Sequence, residues 1–138
     1  MKKLFSVTPE LSTRIIKETQ RFLEDRQDVE SAFLYGSYVE MEVFHDIDLG
    51  LFLQDQCLDR RIVIAFEVSE QLSRCLQLPV DVRVLNGAPV SFLYHVLRGR
   101  LVFCRDADRV ADQIEYVLPR YFDRREFLRH YTREAFAR

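Results

Sequence analysis

Residues 46–54 read DIDLGLFLQ, and Ile47, Leu49, Leu51 and Leu53 fall at every second position. Period two places all four on one face of an extended chain, so this run is a strand with one buried side. A second run, PVDVRVLN at 79–86, repeats the pattern, with Val80, Val82 and Val84 facing one way and Asp81 and Arg83 the other. A third, VESAFLYG at 29–36, is a short apolar stretch ended by glycine. Aspartate is a poor strand former, so Asp46 and Asp48 at the opening of an otherwise apolar strand require a reason.

The segments between these strands carry helical signals. Thr8, Pro9 and Glu10 form a helix start: a hydroxyl cap, a proline in the first turn and an early carboxylate. Leu11, Ile15, Ile16, Phe22 and Leu23 then form an apolar stripe at helical spacing. A second helix is expected over roughly 58–77, with Leu58, Ile62, Ala65, Leu72 and Leu76 on its buried side. APVSFLYHVLRG reads as a short helix ended by Gly99, and RLVFC as a short strand. From Asp106 onward the pattern is helical again, with a kink expected at Pro119. Strands and helices alternate with little spare chain, which predicts an α/β (α+β) fold: a small mixed sheet with helices mainly on one face.

A chain of 138 residues fits one domain, here 1–138, with a core over about 8–105 and a C-terminal helical segment over about 106–138. Apolar residues make up 48 % and charged residues 30 %, enough for a core under a well-solvated surface. No run approaches the roughly 18–20 apolar residues of a membrane helix, and MKKLFSVTPEL is too short and too soon polar for a secretory signal. Cys57, Cys75 and Cys104 are odd in number and not at metal-ligand spacing, which fits spectator or buried thiols and a cytoplasmic location. A net charge of −2 argues against general nucleic-acid affinity, so no direct nucleic-acid partner is expected. The tail is richer in arginine than the rest. Val110, Ile114, Val117, Tyr121 and Leu128 are expected to be core or interface, and Arg120, Arg124, Arg125, Arg129 and Arg133 a solvated or partner-facing side.

The carboxylates carry the chemistry. On a strand, Asp46 and Asp48 would project from one face with Cα atoms about 6.5–7 Å apart. Two carboxylates so placed repel unless a cation lies between them, and Mg²⁺ suits the position because it accepts one or two carboxylates beside water and phosphate oxygens. Asp81 interrupts its own valine alternation and could join the same cluster from the adjacent strand. Three carboxylates holding divalent ions can clamp the attacking and leaving oxygens of an in-line phosphoryl displacement. Gly36 and Ser37 supply the other half of such a site: glycine allows close backbone approach to a phosphate, and the hydroxyl and nearby amides can donate to it. An Asp-x-Asp pair alone also describes a solvated strand end, and Asp81 could simply pair with Arg83. The coincidence of all three features on consecutive strands is what points to a site.

These residues have a familiar arrangement. YGSYVEMEVFHDIDLGLFL followed by LPVDVRVLN resembles the minimal nucleotidyltransferases of the DNA polymerase β-like superfamily. In that family a Gly-Ser pair, a short helix, Asp-x-Asp on the next strand and a third Asp on a later strand form the signature. The resemblance implies that Gly36 and Ser37 contact the nucleoside triphosphate and that Asp46, Asp48 and Asp81 bind metal, with Asp81 also able to act as general base. It implies transfer of a nucleoside monophosphate from an NTP–Mg²⁺ complex to a hydroxyl, with pyrophosphate leaving. Stand-alone members of this size resemble the antitoxin half of HEPN/MNT modules, in which AMP from ATP is placed on a tyrosine of a HEPN ribonuclease toxin. A homo-oligomer, or a hetero-oligomer with the toxin, would follow. The sequence departs from the family after the Gly-Ser pair, where Glu40 and Met41 replace the usual Arg-Gly. The spacing from Ser37 to Asp46 is also shorter, and His45, which could touch a phosphate or the acceptor, stands where a serine is common. The altered loop leaves a second reading open, a nucleotidyltransferase-fold binding module that neutralises its partner by complex formation. A small-molecule transferase is a third.

Overall fold

The computed structural model describes the backbone of residues 3–136 and the side chains of residues 3–122. Its elements run β1 (Phe5–Ser6), α1 (Pro9–Glu24), β2 (Val29–Tyr35), α2 (Ser37–Glu40), β3 (Val43–Phe44), β4 (Ile47–Leu53), a 3₁₀ turn (Asp55–Arg60), α3 (Arg61–Leu76), β5 (Val80–Val84), α4 (Val90–Leu97), β6 (Arg100–Cys104) and α5 (Ala107–Phe136). Four strands form one sheet in the order β5-β4-β2-β6, and β1 pairs with β3 in a separate ribbon. β2 is antiparallel to both β4 and β6. β5 runs parallel to β4, which requires a crossover, and α3 supplies it.

One face of the sheet is closed by α1 and α3. Leu34, Leu49, Leu51 and Leu53 meet Ile15 and Leu23 of α1 and Ile64, Val68, Leu72 and Leu76 of α3. The expected cap of α1 is present, with Thr8 accepting from the Leu11 amide at 3.1 Å and Pro9 in the first turn. The buried line on α3 is Ile64-Val68-Leu72-Leu76, a four-residue period. Ile62, expected on the buried side, is instead 82 % exposed. The helix starts only at Arg61, after the 3₁₀ turn, and its buried line therefore passes through Ile64.

The opposite face carries α4 and the first turns of α5 over Phe33, Tyr35, Phe52 and Leu85. Gly50 permits this closeness, since a Cβ there would stand 3.0 Å from the Leu85 methyls and 3.1 Å from Val96. Val110 and Val117 are buried as expected, while Ile114 packs against the same core and Tyr121 stacks on Tyr94 with ring centroids 3.7 Å apart. α5 continues through Pro119 as one helix. Arg120 lies 3.8 Å over the Tyr116 ring and donates to the Tyr116 carbonyl at 2.8 Å. Leu128, Arg124, Arg125, Arg129 and Arg133 lie outside the described side chains. Cys75 is exposed, and Cys57 and Cys104 are half-buried. Among the described residues, no helix is long and apolar enough to cross a membrane.

Arg105 fastens the sheet to α1. Its guanidinium donates to the carbonyls of Val29 (2.8 Å), Leu23 (2.9 Å), Glu24 (3.3 Å) and Arg26 (2.8 Å), and it lies 4.9 Å from the Phe103 ring centroid. These acceptors include the carbonyls of the last turn of α1, where a cation also meets the negative pole of the helix. Arg105→Ala is expected to cost roughly 2 kcal/mol, because several charge-assisted bonds to the backbone are lost together. Urea denaturation checks this; an unchanged midpoint would contradict the role assigned to the guanidinium.

Candidate active site

β2 ends and β4 and β5 begin at the same end of the sheet. In the strand register, Tyr35 stands opposite Asp48, and Asp48 stands opposite Asp81. Register partners on neighbouring strands project to the same side, so Tyr35, Asp48 and Asp81 form a row across three strands. The row lies on the α4 face, because Leu34, Leu49, Val80 and Val82 occupy the other. The expectation that the third aspartate lies beside the Asp-x-Asp strand is met at Asp48.

Asp46 sits differently from its expected place. β4 begins at Ile47, whose amide donates to the Pro79 carbonyl at 2.9 Å, and Asp46 occupies the bend just before it. Its carboxylate still acts on Asp48. Burial, then the charges of Asp46 and Asp81, push the Asp48 carboxyl up to about 6, while Arg83 and His95 pull it the other way. The same crowding reaches Tyr35, which burial and the negative charge of Asp48 raise to about 12. Tyr35 is therefore a neutral hydroxyl at any physiological pH. Its ring is set edge-on to Phe92 and His95 of α4, at centroid distances of 5.7 Å in each case.

Gly36 couples the α2 turn to the carboxylate row. Its φ of 78° and ψ of −154° belong to a region that essentially only glycine adopts. A Cβ at this position would overlap Asp48 Oδ2 and stand 3.1 Å from Asp48 Cγ. The Asp48 carboxylate thus lies directly over the Gly36 backbone. Ser37 opens α2, and the amides of Glu40 and Val39 both return to the Gly36 carbonyl at 3.1 Å. The amides of Ser37 and Tyr38, which lead this turn, have no acceptor within it. Tyr38 is buried, edge-on to Phe44, and donates its hydroxyl to Ser12 at 3.0 Å, which pins the turn to α1.

The residues that depart from the family lie outside the cluster. Glu40 is exposed, as are Val39 (39 %) and Met41 (59 %), and Glu40 is absent from the charges acting on Asp48. His45 is exposed, and its Nδ1 lies 3.2 Å from the Lys3 carbonyl, to which it donates. It is thereby a strand-end histidine tied to the β1–β3 ribbon. Two further residues border the row, Arg83 and His95. Arg83 stands two residues beyond Asp81 on the same face, with Nε 3.9 Å from Asp81 Oδ2 and its guanidinium 5.9 Å from the Phe92 ring centroid. Parity along β5 already paired Arg83 with Asp81 in the sequence. Nothing there brought in Tyr35 or His95.

Among the described residues, no three His, Cys, Asp or Glu side chains converge closely enough to cage an ion unaided. Mg²⁺ does not require such a cage, since it binds through one or two carboxylates and completes its shell with water and phosphate. The donors here are hard carboxylate oxygens crowded enough to raise Asp48 toward neutrality, so the set fits a small divalent cation.

Residues 17–108 match the family profile described as polymerase beta, nucleotidyltransferase. No curated protein matches the chain. Several solved structures are similar in fold. One is a tri-AMPylated Shewanella oneidensis HEPN toxin in complex with an MNT antitoxin, with 18 % identity, 92 % of this chain and 95 % of that chain covered, and a TM-score of 0.54. Another is a toxin–antitoxin with AMP-PNP, at 18 % identity, 85 % and 98 % coverage and a TM-score of 0.58. A third is a mutant of the toxin–antitoxin MntA–HpeT, at 19 % identity, 91 % and 94 % coverage and a TM-score of 0.57.

Proposed function

The chain belongs to the polymerase beta nucleotidyltransferase family, and on that premise we propose that it is a Mg²⁺-dependent adenylyltransferase that moves AMP from ATP to a tyrosine of a HEPN-type toxin. The observation that carries the proposal is the seating of Asp48 on Gly36 and beside Asp81, which joins the glycine turn to a pair of carboxylates. Similar folds occur in a complex of a HEPN toxin carrying AMP and in a toxin–antitoxin with AMP-PNP, which supports both the acceptor and the nucleotide.

In this reading Asp46 and Asp48 would hold Mg²⁺, and Asp81 would share it. The ion would supply charge neutralisation on the phosphates. The Ser37 hydroxyl and the leading amides of α2 orient the phosphate oxygens, and the tyrosine hydroxyl of the partner is held in line with the α-phosphorus. A bond forms between that oxygen and the α-phosphorus, the bond from the α-phosphorus to the bridging oxygen breaks, and pyrophosphate departs. An Asp81 carboxylate oxygen takes the acceptor proton. Tyr35, kept neutral by burial and the charge of Asp48, does not compete as a nucleophile. The exposed placement of Glu40 favours an enzyme over a purely binding module, since the altered loop leaves the carboxylate row intact.

ATP labelled at either the α- or the γ-phosphate tests the chemistry, with the chain, Mg²⁺ and the protein encoded beside it in one reaction. Label from the α position is expected on the partner, and none from the γ position. Transfer of γ label, or no transfer at all, would count against nucleotidyl transfer.

A further inference from the structure

A triphosphate carries more negative charge than one divalent ion offsets, so a site that receives it needs a cation of its own. Residues 37–59, which include the whole phosphate-side turn and β4, contain no lysine or arginine. The charged groups acting on Asp48 are Asp46, Asp81, Arg83 and His95, and of the two basic ones only Arg83 carries a permanent charge. Its side chain is 62 % exposed and stands on the same sheet face as Asp48 and Asp81. Its ion pair with Asp81 is long, at 3.9 Å, and its guanidinium makes no hydrogen bond to another described residue. Phe92 of α4 flanks the guanidinium and limits its swing.

We infer that Arg83 is the polyphosphate-binding cation of this site, entering from β5 instead of from the loop after Gly36-Ser37. The inference rests on the nucleotidyltransferase reading and adds to it the residue that replaces the loop cation. In the free protein Arg83 offsets the charge of Asp81. When metal and nucleotide enter, Asp81 turns to the metal and the guanidinium donates to phosphate oxygens, for which its planar fork is suited.

Titration calorimetry of wild type and Arg83→Ala with two probes, Mn²⁺ alone and Mn²⁺–ATP, tests this. Removing Arg83 is expected to weaken Mn²⁺–ATP about tenfold or more, the scale of a charge-assisted hydrogen bond. Mn²⁺ alone should bind equally well or more tightly, because the carboxylates lose a competing cation. A merely structural role would weaken both probes together, and a role limited to offsetting Asp81 would leave Mn²⁺–ATP unchanged or tighter; either result overturns the inference. Because the side chain is exposed, the variant should fold, and its thermal midpoint checks that. If wild type binds Mn²⁺–ATP and the variant matches it, Arg83 is excluded while the nucleotidyltransferase reading stands. If wild type binds Mn²⁺ but no ATP, both fall.

Discussion

Asp48→Asn is expected to abolish nucleotidyl transfer and, in the same protein without metal, to raise thermal stability at pH 7.5. The two effects share one cause. In the fold, the Asp48 carboxyl titrates near 6 because burial and the carboxylates of Asp46 and Asp81 oppose its ionisation. An unfolded chain holds the same group near its ordinary value of 3.8. The folded state therefore binds more protons than the unfolded state between these values, and stability falls as pH rises from about 4 through 6. Above that window a constant penalty remains. Half-exposure of the site screens it to roughly 1–2 kcal/mol. Asparagine removes the charge and the penalty, so the variant should melt a few degrees higher at pH 7.5 and alike with wild type below about pH 4. Added Mg²⁺ should stabilise wild type and leave the variant unmoved. Scanning calorimetry across pH with chelator present reads the first effect. A variant that melts lower at pH 7.5 would contradict the crowding of charge at Asp48.

Gly36→Ala is expected to be strongly damaging, because a backbone penalty and a side-chain overlap coincide at this position. The positive φ costs about 1–3 kcal/mol for a residue with a Cβ. The new methyl must also displace Asp48, because it would overlap Oδ2 and press on Cγ and Cβ at 3.1 and 3.4 Å. We expect a loss of roughly 2–4 kcal/mol and, on the proposed function, loss of transfer, since the Asp48 carboxylate no longer sits over the turn. The two contributions can be separated. In an Asp48→Ala background the carboxylate is gone, so Gly36→Ala should cost less, by about 1 kcal/mol or more of coupling. Additive losses would mean that only the backbone angle matters and that the contact with Asp48 carries no weight.

Much of this arrangement is written in the period-two runs. The leucines of β4 and the valines of β5 fix the parity of both strands, and parity alone puts Asp48 and Asp81 on faces away from the aliphatic core. Their adjacency needed one more fact, the parallel register that pairs them, which the α3 crossover makes natural. Asp46 escaped the same logic because strand pairing begins one residue later, and a strand start depends on its partner and not on local pattern. Ile62 was misplaced for a related reason. The stretch RIVIAF is apolar on several sides of the helix, and only packing against the sheet selects Ile64 over Ile62. The two-residue strands β1 and β3 are too short to carry any period. Tyr35 was hidden by its setting in a strand that is buried along its whole length, where no alternation marks which side chains meet the site. The overlap that makes Gly36 obligatory is likewise a contact between residues 12 positions apart, visible only once β2 and β4 are paired.

The most direct measurement is the intact mass of the proposed HEPN-type partner after incubation with this chain, ATP and Mg²⁺. The account predicts that the partner gains whole increments of AMP with wild type, that the gain disappears with Asp46→Asn or Asp48→Asn, and that removing the acceptor tyrosine removes it too. A partner whose mass stays unchanged, or which gains the same increments with the Asp48→Asn protein, would contradict it.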